Sequence, residues 1–329
     1  MGTPTTRPAT LDDVARAAGV SRATASRVLG GYGFASPDAR DRVTTAADRL
    51  GYVPNTAARA LVRGAGVRLV VVVSGADATV LDDPYVDRVV SAAARVCAPQ
   101  GVGVALEWLP LTAPAGLRRL AEYRSVCGVL LVNTTAAVLA EFPARLRGRV
   151  ASIGTGSPAV PSFDVDNAAG AEAVLRHLYA GGRRRIAMVT GPRWLACAER
   201  LVTAYQTLMR AAGLPVRLVT GDFTADRGGP AALEALTRWP DTDAIYAASD
   251  ATALGAIAAL RGRGFRVPHD VAVAGFDDIP YAAVSSPTLT TATHPVGRIA
   301  TAAARAVLHG RRVPPVTAFP STLVARESA

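Results

Sequence analysis

The chain has 329 residues, 50% of them hydrophobic and 5% aromatic, which is enough for a small module plus a body of one or two domains with sizeable cores. Its formal charge is +10 and all 36 basic residues are arginine, so a P-loop lysine, a Schiff-base lysine and a pyridoxal-anchoring lysine are excluded. Cys97, Cys127 and Cys197 have no metal-type spacing, and the chain has neither an apolar signal core nor an apolar run long enough to span a membrane.

These features lead us to expect a cytoplasmic, nucleoid-associated protein with its cysteines in the core, and with no metal, cofactor or membrane partner. The positive charge is uneven. Residues 1–66 hold nine arginines and five aspartates, a net +4, and the other 263 residues carry +6. A phosphate-binding surface is therefore expected near the start of the chain.

Thr10, followed three residues later by Asp13, has the pattern of a helix N-cap, and Leu11, Val14, Ala15 and Ala18 recur on one apolar face that Gly19 ends. Ser21 then caps a second helix, with Thr24 and Val28 inward and Arg22, Ala23, Ser26 and Arg27 outward. Small and basic, that helix suits a major groove, where hydroxyls and arginines hold phosphates and N-terminal side chains reach base edges. On these twenty residues alone an ordinary helical hairpin is the competing reading. A third helix is expected from Ser36-Pro37, with Val43, Ala46, Ala47 and Leu50 inward and Gly51 at its end. Tyr52-Val53-Pro54-Asn55 breaks that helix, and a short segment from Thr56 to Val62 carries Arg59 and Leu61.

This order of helix-turn-helix, third helix, GYVPN and AARAL resembles the LacI/GalR family of bacterial transcriptional repressors. The resemblance implies that the segment after the PN becomes a hinge helix when two subunits meet on an operator. Its leucine, by position Leu61, then wedges into the minor groove, where unstacking is offset by contacts to bent DNA. The DNA-binding residues implied are Thr10, Ser21, Arg22, Ala23, Thr24, Ser26, Arg27, Tyr52, Asn55, Arg59 and Leu61. Two departures stand out: Gly30 where the family usually has Asn, and Ala25 where it often has Val.

The body opens on Val67–Gly75, a continuous apolar run of buried-strand type, followed by a helical stretch from Pro84 to Ala98. GVGVALEWL, GVLLVN, RVASIG, RRIAMVTG, VRLVTG, DAIYAAS and DVAVAGF continue the alternation, which argues for parallel sheets covered by helices. The segments SDATALG, DVDNAAG, GGRRRIA and Val267–Thr291 extend the resemblance over nearly the whole chain.

The expected fold is thus a small all-α headpiece (1–53), a hinge and linker (54–66), and a two-lobed α/β body (67–329) like a periplasmic binding protein. One lobe is expected at about 67–164 and 291–319, the other at about 165–290 and 320–329.

Ligands in such folds sit outside the carboxyl ends of strands, which makes Tyr85, Trp194, Arg200, Phe223, Ser249, Asp250, Asp277 and Tyr281 the effector candidates. Several of these positions depart from the family pattern. Gly154 stands where the family often has Asp, Leu201 where it usually has Arg, and Ser249 where it usually has Asn. Arg200 is one place earlier than the family arginine, and one residue turns a helix by about 100°. Glycine and leucine cannot hold hydroxyls as a carboxylate and a guanidinium do, so a more apolar or aromatic-stacked ligand than the usual sugar is expected.

The four histidines are scattered and assemble no nucleophile, base and orienting acid. His294, in TTATHP near an expected crossover, is expected to be structural or on the surface, with a hinge or pocket-edge role as the alternative. The function implied is a homodimeric repressor on a pseudo-palindromic operator, allosterically controlled by a small molecule. A cytosolic binding protein with a vestigial DNA-binding module, and an enzyme on the two-lobed body, are the alternatives.

Overall fold

The computed structural model describes residues 9–31, 33–52, 68–123, 125–310 and 313–329. By its contacts the chain divides into two units, residues 1–64 and 65–329.

The first unit contains helices α1 (Leu11–Ala18), α2 (Arg22–Gly30) and α3 (Pro37–Arg49). Each start is fixed by a hydroxyl. Thr10 Oγ1 accepts from the Asp13 N–H at 3.3 Å while Asp13 Oδ2 accepts from the Thr10 N–H at 3.0 Å, a reciprocal capping box. Ser21 and Ser36 accept from Thr24 and Ala39 in the same way. Gly19, at φ +62°, takes the left-handed turn between α1 and α2 that a side chain would strain.

Val14, Ala15, Ala18, Ala25, Val43, Ala46 and Ala47 form one small core, with Tyr52 packed against its edge. Leu50 departs from the expected stripe. It lies beyond the last turn of α3 as its C-cap and is 38% exposed, while Ala39 fills the inward position at the other end of the helix.

The second unit carries two parallel sheets. The larger runs in the order β11-β5-β4-β3-β1-β2. Its strands are β1 (Arg68–Gly75), β2 (Gly103–Pro110), β3 (Val126–Val132), β4 (Val150–Ile153), β5 (Ser162–Val165) and β11 (Val316–Phe319). Helices α4 (Pro84–Cys97) and α10 (Val296–His309) cover one face, where Leu69, Val71 and Val73 meet Val86, Val89, Ile299 and Ala303. Val70, Val72, Val129 and Leu131 point the other way, onto Leu109, Leu117, Leu120 and Leu146. Burial on both faces explains why β1 reads as an unbroken apolar run.

The smaller sheet has the order β7-β6-β8-β9, from β6 (Ile186–Val189), β7 (Arg217–Val219), β8 (Ala244–Ala247) and β9 (Ala272–Ala274). Around it lie α6 (Asn167–Ala180), α7 (Ala196–Ala211), α8 (Ala225–Arg238) and α9 (Asp250–Gly262), and a short α5 (Ala136–Ala140) belongs to the larger-sheet lobe. β10 (Thr291–Ala292) and β12 (Leu323–Val324) pair antiparallel where the chain passes between the lobes.

All seven strand candidates after Gly75 are strands. β5, β10, β11 and β12 were not expected: they are two to four residues long, too short for a period to register.

Candidate functional site

In the headpiece, α2 presents its N-terminal end to solvent, with Ser21, Arg22 and Ala23 exposed and Thr24, Ser26 and Arg27 half-buried. No acidic residue occupies its first turn. Arg22 makes one long ion pair, 3.4 Å to Asp12, between side chains 71% and 57% exposed, which is too weak to hold it away from a phosphate or base. Arg27 lies along the helix, with Nε 3.3 Å from the Ala23 carbonyl and Nη1 3.4 Å from that of Phe34. The hydroxyls of Ser21 and Thr24 are 2.9 Å apart. Thr10 is committed to its cap and Tyr52 to the core edge. Asn55, Arg59 and Leu61 lie outside the described residues.

In the body, a cavity with about 670 Å³ of space between protein atoms, its open mouth included, lies at the carboxyl ends of the strands. Tyr85, Arg200, Phe223, Ser249 and Asp277 all line it, so five of the eight expected residues come together. Arg200 does face the cleft: it forms an ion pair with Asp164 that links α7 of one lobe to β5 of the other. Leu201 is buried beside it.

Gly154 and Leu201, two of the departures noted in the sequence, both line the cavity beside this pair. Gly154 sits at φ +111°, where a side chain would be strained, and its N–H donates to the Phe163 carbonyl, next to Asp164. The carboxylate that meets Arg200 comes from β5, the strand beside β4.

The remaining three candidates lie elsewhere. Asp250 is fully buried and braces the fold, accepting from the Ile279 N–H at 2.9 Å and the Thr291 hydroxyl at 2.6 Å, and burial raises its pKa well above the usual carboxylate value. Trp194 is half-buried and outside the cavity lining. Tyr281, on a short 3-10 turn (Pro280–Ala283), is 61% exposed.

Sequence reasoning missed Asp83, Asn133, Asp164, Asn167 and Cys197 and held a pocket edge only as the alternative for His294; all six line the cavity. His294 is buried rather than on the surface. Its Nδ1 is 3.0 Å from Asp277 Oδ1, its ring packs 5.0 Å from that of Tyr85 and 6.0 Å from that of Phe276, and desolvation lowers its pKa to about 4. Burial pushes Asp277 up to about 7 and Asp83 up to about 6. Cys197 is half-buried rather than in the core, with its thiol raised to about 12 by desolvation. Cys127 is likewise half-buried, and Cys97 is buried as expected. Arg88 on α4 bridges the lobes, donating to the carbonyls of Asp277 and His294 at 3.1 Å each.

Residues 10–55 match the model for bacterial regulatory proteins of the lacI family, and residues 175–329 that for a periplasmic binding protein-like domain. The transcriptional regulator CelR of Thermobifida fusca is 37% identical over 88% of this chain and 88% of its own. GalR of Escherichia coli K12 is 31% identical over 97% of this chain and 95% of its own.

The chain belongs to the LacI family.

This LacI-family member is a DNA-binding transcriptional regulator. Its fold matches that of a CelR–cellobiose complex at a TM-score of 0.68, with 31% identity over 98% of this chain and 100% of that one. A Lac repressor dimer bound to operator and an anti-inducer matches in fold at a TM-score of 0.81, with 24% identity over 98% and 99% of the two chains. No described helix is long and apolar enough to cross a membrane.

Proposed function

We propose that this regulator is a cytoplasmic homodimeric repressor, not an enzyme, whose operator affinity is set by a small molecule in the inter-lobe cleft. Two copies of α2 enter successive major-groove half-sites about 34–36 Å apart, and paired hinge segments from residues 54–66 occupy the minor groove between them. The operator is pseudo-palindromic because the dimer is two-fold symmetric.

The observation that carries this reading is the Asp164–Arg200 pair in a lined cleft, together with a basic headpiece in the same chain. A ligand that inserts at that pair binds the closed and open lobe arrangements with different free energies. That difference is the only currency in which it can bias a distant hinge. Relatives support the reading, since the matched solved structures include CelR with cellobiose and a Lac repressor dimer on operator.

Footprinting of the full chain tests it. A two-fold symmetric protected site is expected, with an affinity that falls steeply as salt rises. A protein with a vestigial headpiece gives neither.

A further inference from the structure

Carboxyl groups outnumber guanidinium groups in the lining of the cleft. Asp83, Asp164 and Asp277 line it, and the one guanidinium among the lining residues, Arg200, is committed to Asp164. Arg88 stands behind Asp277 but spends its donors on two backbone carbonyls. Asp83 accepts the Tyr85 N–H at 2.9 Å as the cap of α4 and has no ion-pair partner among the described residues. Asp83 and Asp277 thus line the cavity with no arginine ion pair among the described residues, in surroundings that penalise their charge.

A second observation is independent of the acids. His294 is 8% exposed and lines the same cavity, and its Nε2 finds no hydrogen-bond partner among the described residues. In the tautomer whose Nδ1–H donates to an ionised Asp277, the neutral ring offers Nε2 as a lone-pair acceptor. A buried acceptor without a donor costs free energy, which an N–H donor on a ligand in the cavity would recover. Two of the other polar lining groups are committed elsewhere: the Ser249 hydroxyl donates to the Phe223 carbonyl at 2.9 Å and the Asn167 amide to the Val165 carbonyl at 3.0 Å.

We propose that the ligand of this cleft carries a protonated amine, seated between the carboxylates of Asp83 and Asp277 and donating to His294 Nε2, with the rings of Tyr85 and Phe223 as walls. The inference rests on the effector-site reading above and adds the ligand's charge. An ammonium supplies both what the acids lack and what Nε2 lacks, and aromatic faces favour cations over anions. Asn133 and Thr155, also at the cavity, suit hydroxyls on the same ligand, which makes an amino sugar or similar hydroxylated amine the chemical class. A carboxylate or phosphate finds no uncommitted cation here.

Titration calorimetry on the full chain at neutral pH tests the proposal with matched probes: D-glucosamine against D-glucose, deacetylated chitobiose against cellobiose, and D-gluconate as the anion. At least one aminated probe is expected to bind tenfold or more tighter than its neutral partner, and gluconate not to bind. Asp83→Asn, whose amide still caps α4, is expected to bring that preference below threefold; Asp277→Asn is the second variant should the first disturb the helix. A neutral partner that binds equally well, a gluconate complex, a preference unchanged in both variants, or no aminated probe binding at about 10 mM overturns the proposal. Tight binding of cellobiose alone removes the ammonium while leaving an effector site in place, and operator affinity tests the regulatory reading separately.

Discussion

The headpiece and the cleft treat polar side chains in opposite ways. In the headpiece the hydroxyls of Thr10, Ser21 and Ser36 close helix starts within three residues of their own position, and Arg22 stays in water. In the cleft Asp164 meets a partner 36 residues away, and Arg88 reaches carbonyls 189 and 206 residues away. Local satisfaction leaves a surface free to meet a polyanion, whereas long-range satisfaction ties two lobes together and makes their arrangement sensitive to what lies between them.

Removing residues 1–64 separates the two regions most sharply. Sequence-specific DNA binding is expected to fall by about 100-fold or more, and cleft-ligand affinity to stay within twofold, as gel shift and calorimetry measure. Coupled losses would mean that the division into two units misleads.

Leu61→Ala targets only the DNA side, with an expected loss of about tenfold or more in operator affinity and none in ligand affinity. Arg200→Ala targets only the cleft. It strands Asp164, whose side chain is 15% exposed, so the body's Tm should fall by a few degrees. The partly exposed arginine limits the stability cost, and Asp164→Asn in the same chain should recover most of the Tm.

A smaller effect follows from Asp277, which interacts with Asp83, Tyr85, Arg88, Cys197, Tyr246, Asp250 and His294. Its folded pKa of about 7 lies above the ordinary carboxylate value, so the unliganded body loses stability as pH rises through that range. His294, lowered to about 4, works in the opposite sense at acid pH, where stability falls as pH drops below the ordinary histidine value. An ammonium ligand favours the ionised carboxylates, so affinity for an aminated probe should rise severalfold between pH 5 and 7 with proton release, below the range in which the sugar amine loses its own proton. A pH-independent affinity would contradict this. Thr10→Ala is expected to do least, costing about 1 kcal/mol of headpiece stability in thermal unfolding and leaving ligand binding untouched.

The same contrast explains what was legible in the sequence. The three headpiece helices could be read because their caps and apolar faces are encoded locally, and Leu50 failed only because it falls one residue beyond the helix. The parallel strands could be read because burial on both faces leaves apolar runs. Asp83 caps the helix that Pro84 opens, and nothing in the sequence says that it also lines a cavity. Asp164 lies on a four-residue strand with no period to announce it, and its relation to Gly154 exists only through the register of β4 and β5. His294 became a cleft residue only once the chain had passed between the lobes and brought it to Asp277, 17 residues away.

The most direct test of the central claim is selection of bound sequences from random double-stranded DNA by the full chain, with residues 65–329 alone as the control. The account predicts enrichment of a two-fold symmetric site by the full chain and none by the control. No enriched sequence, or the same enrichment by both, would contradict it.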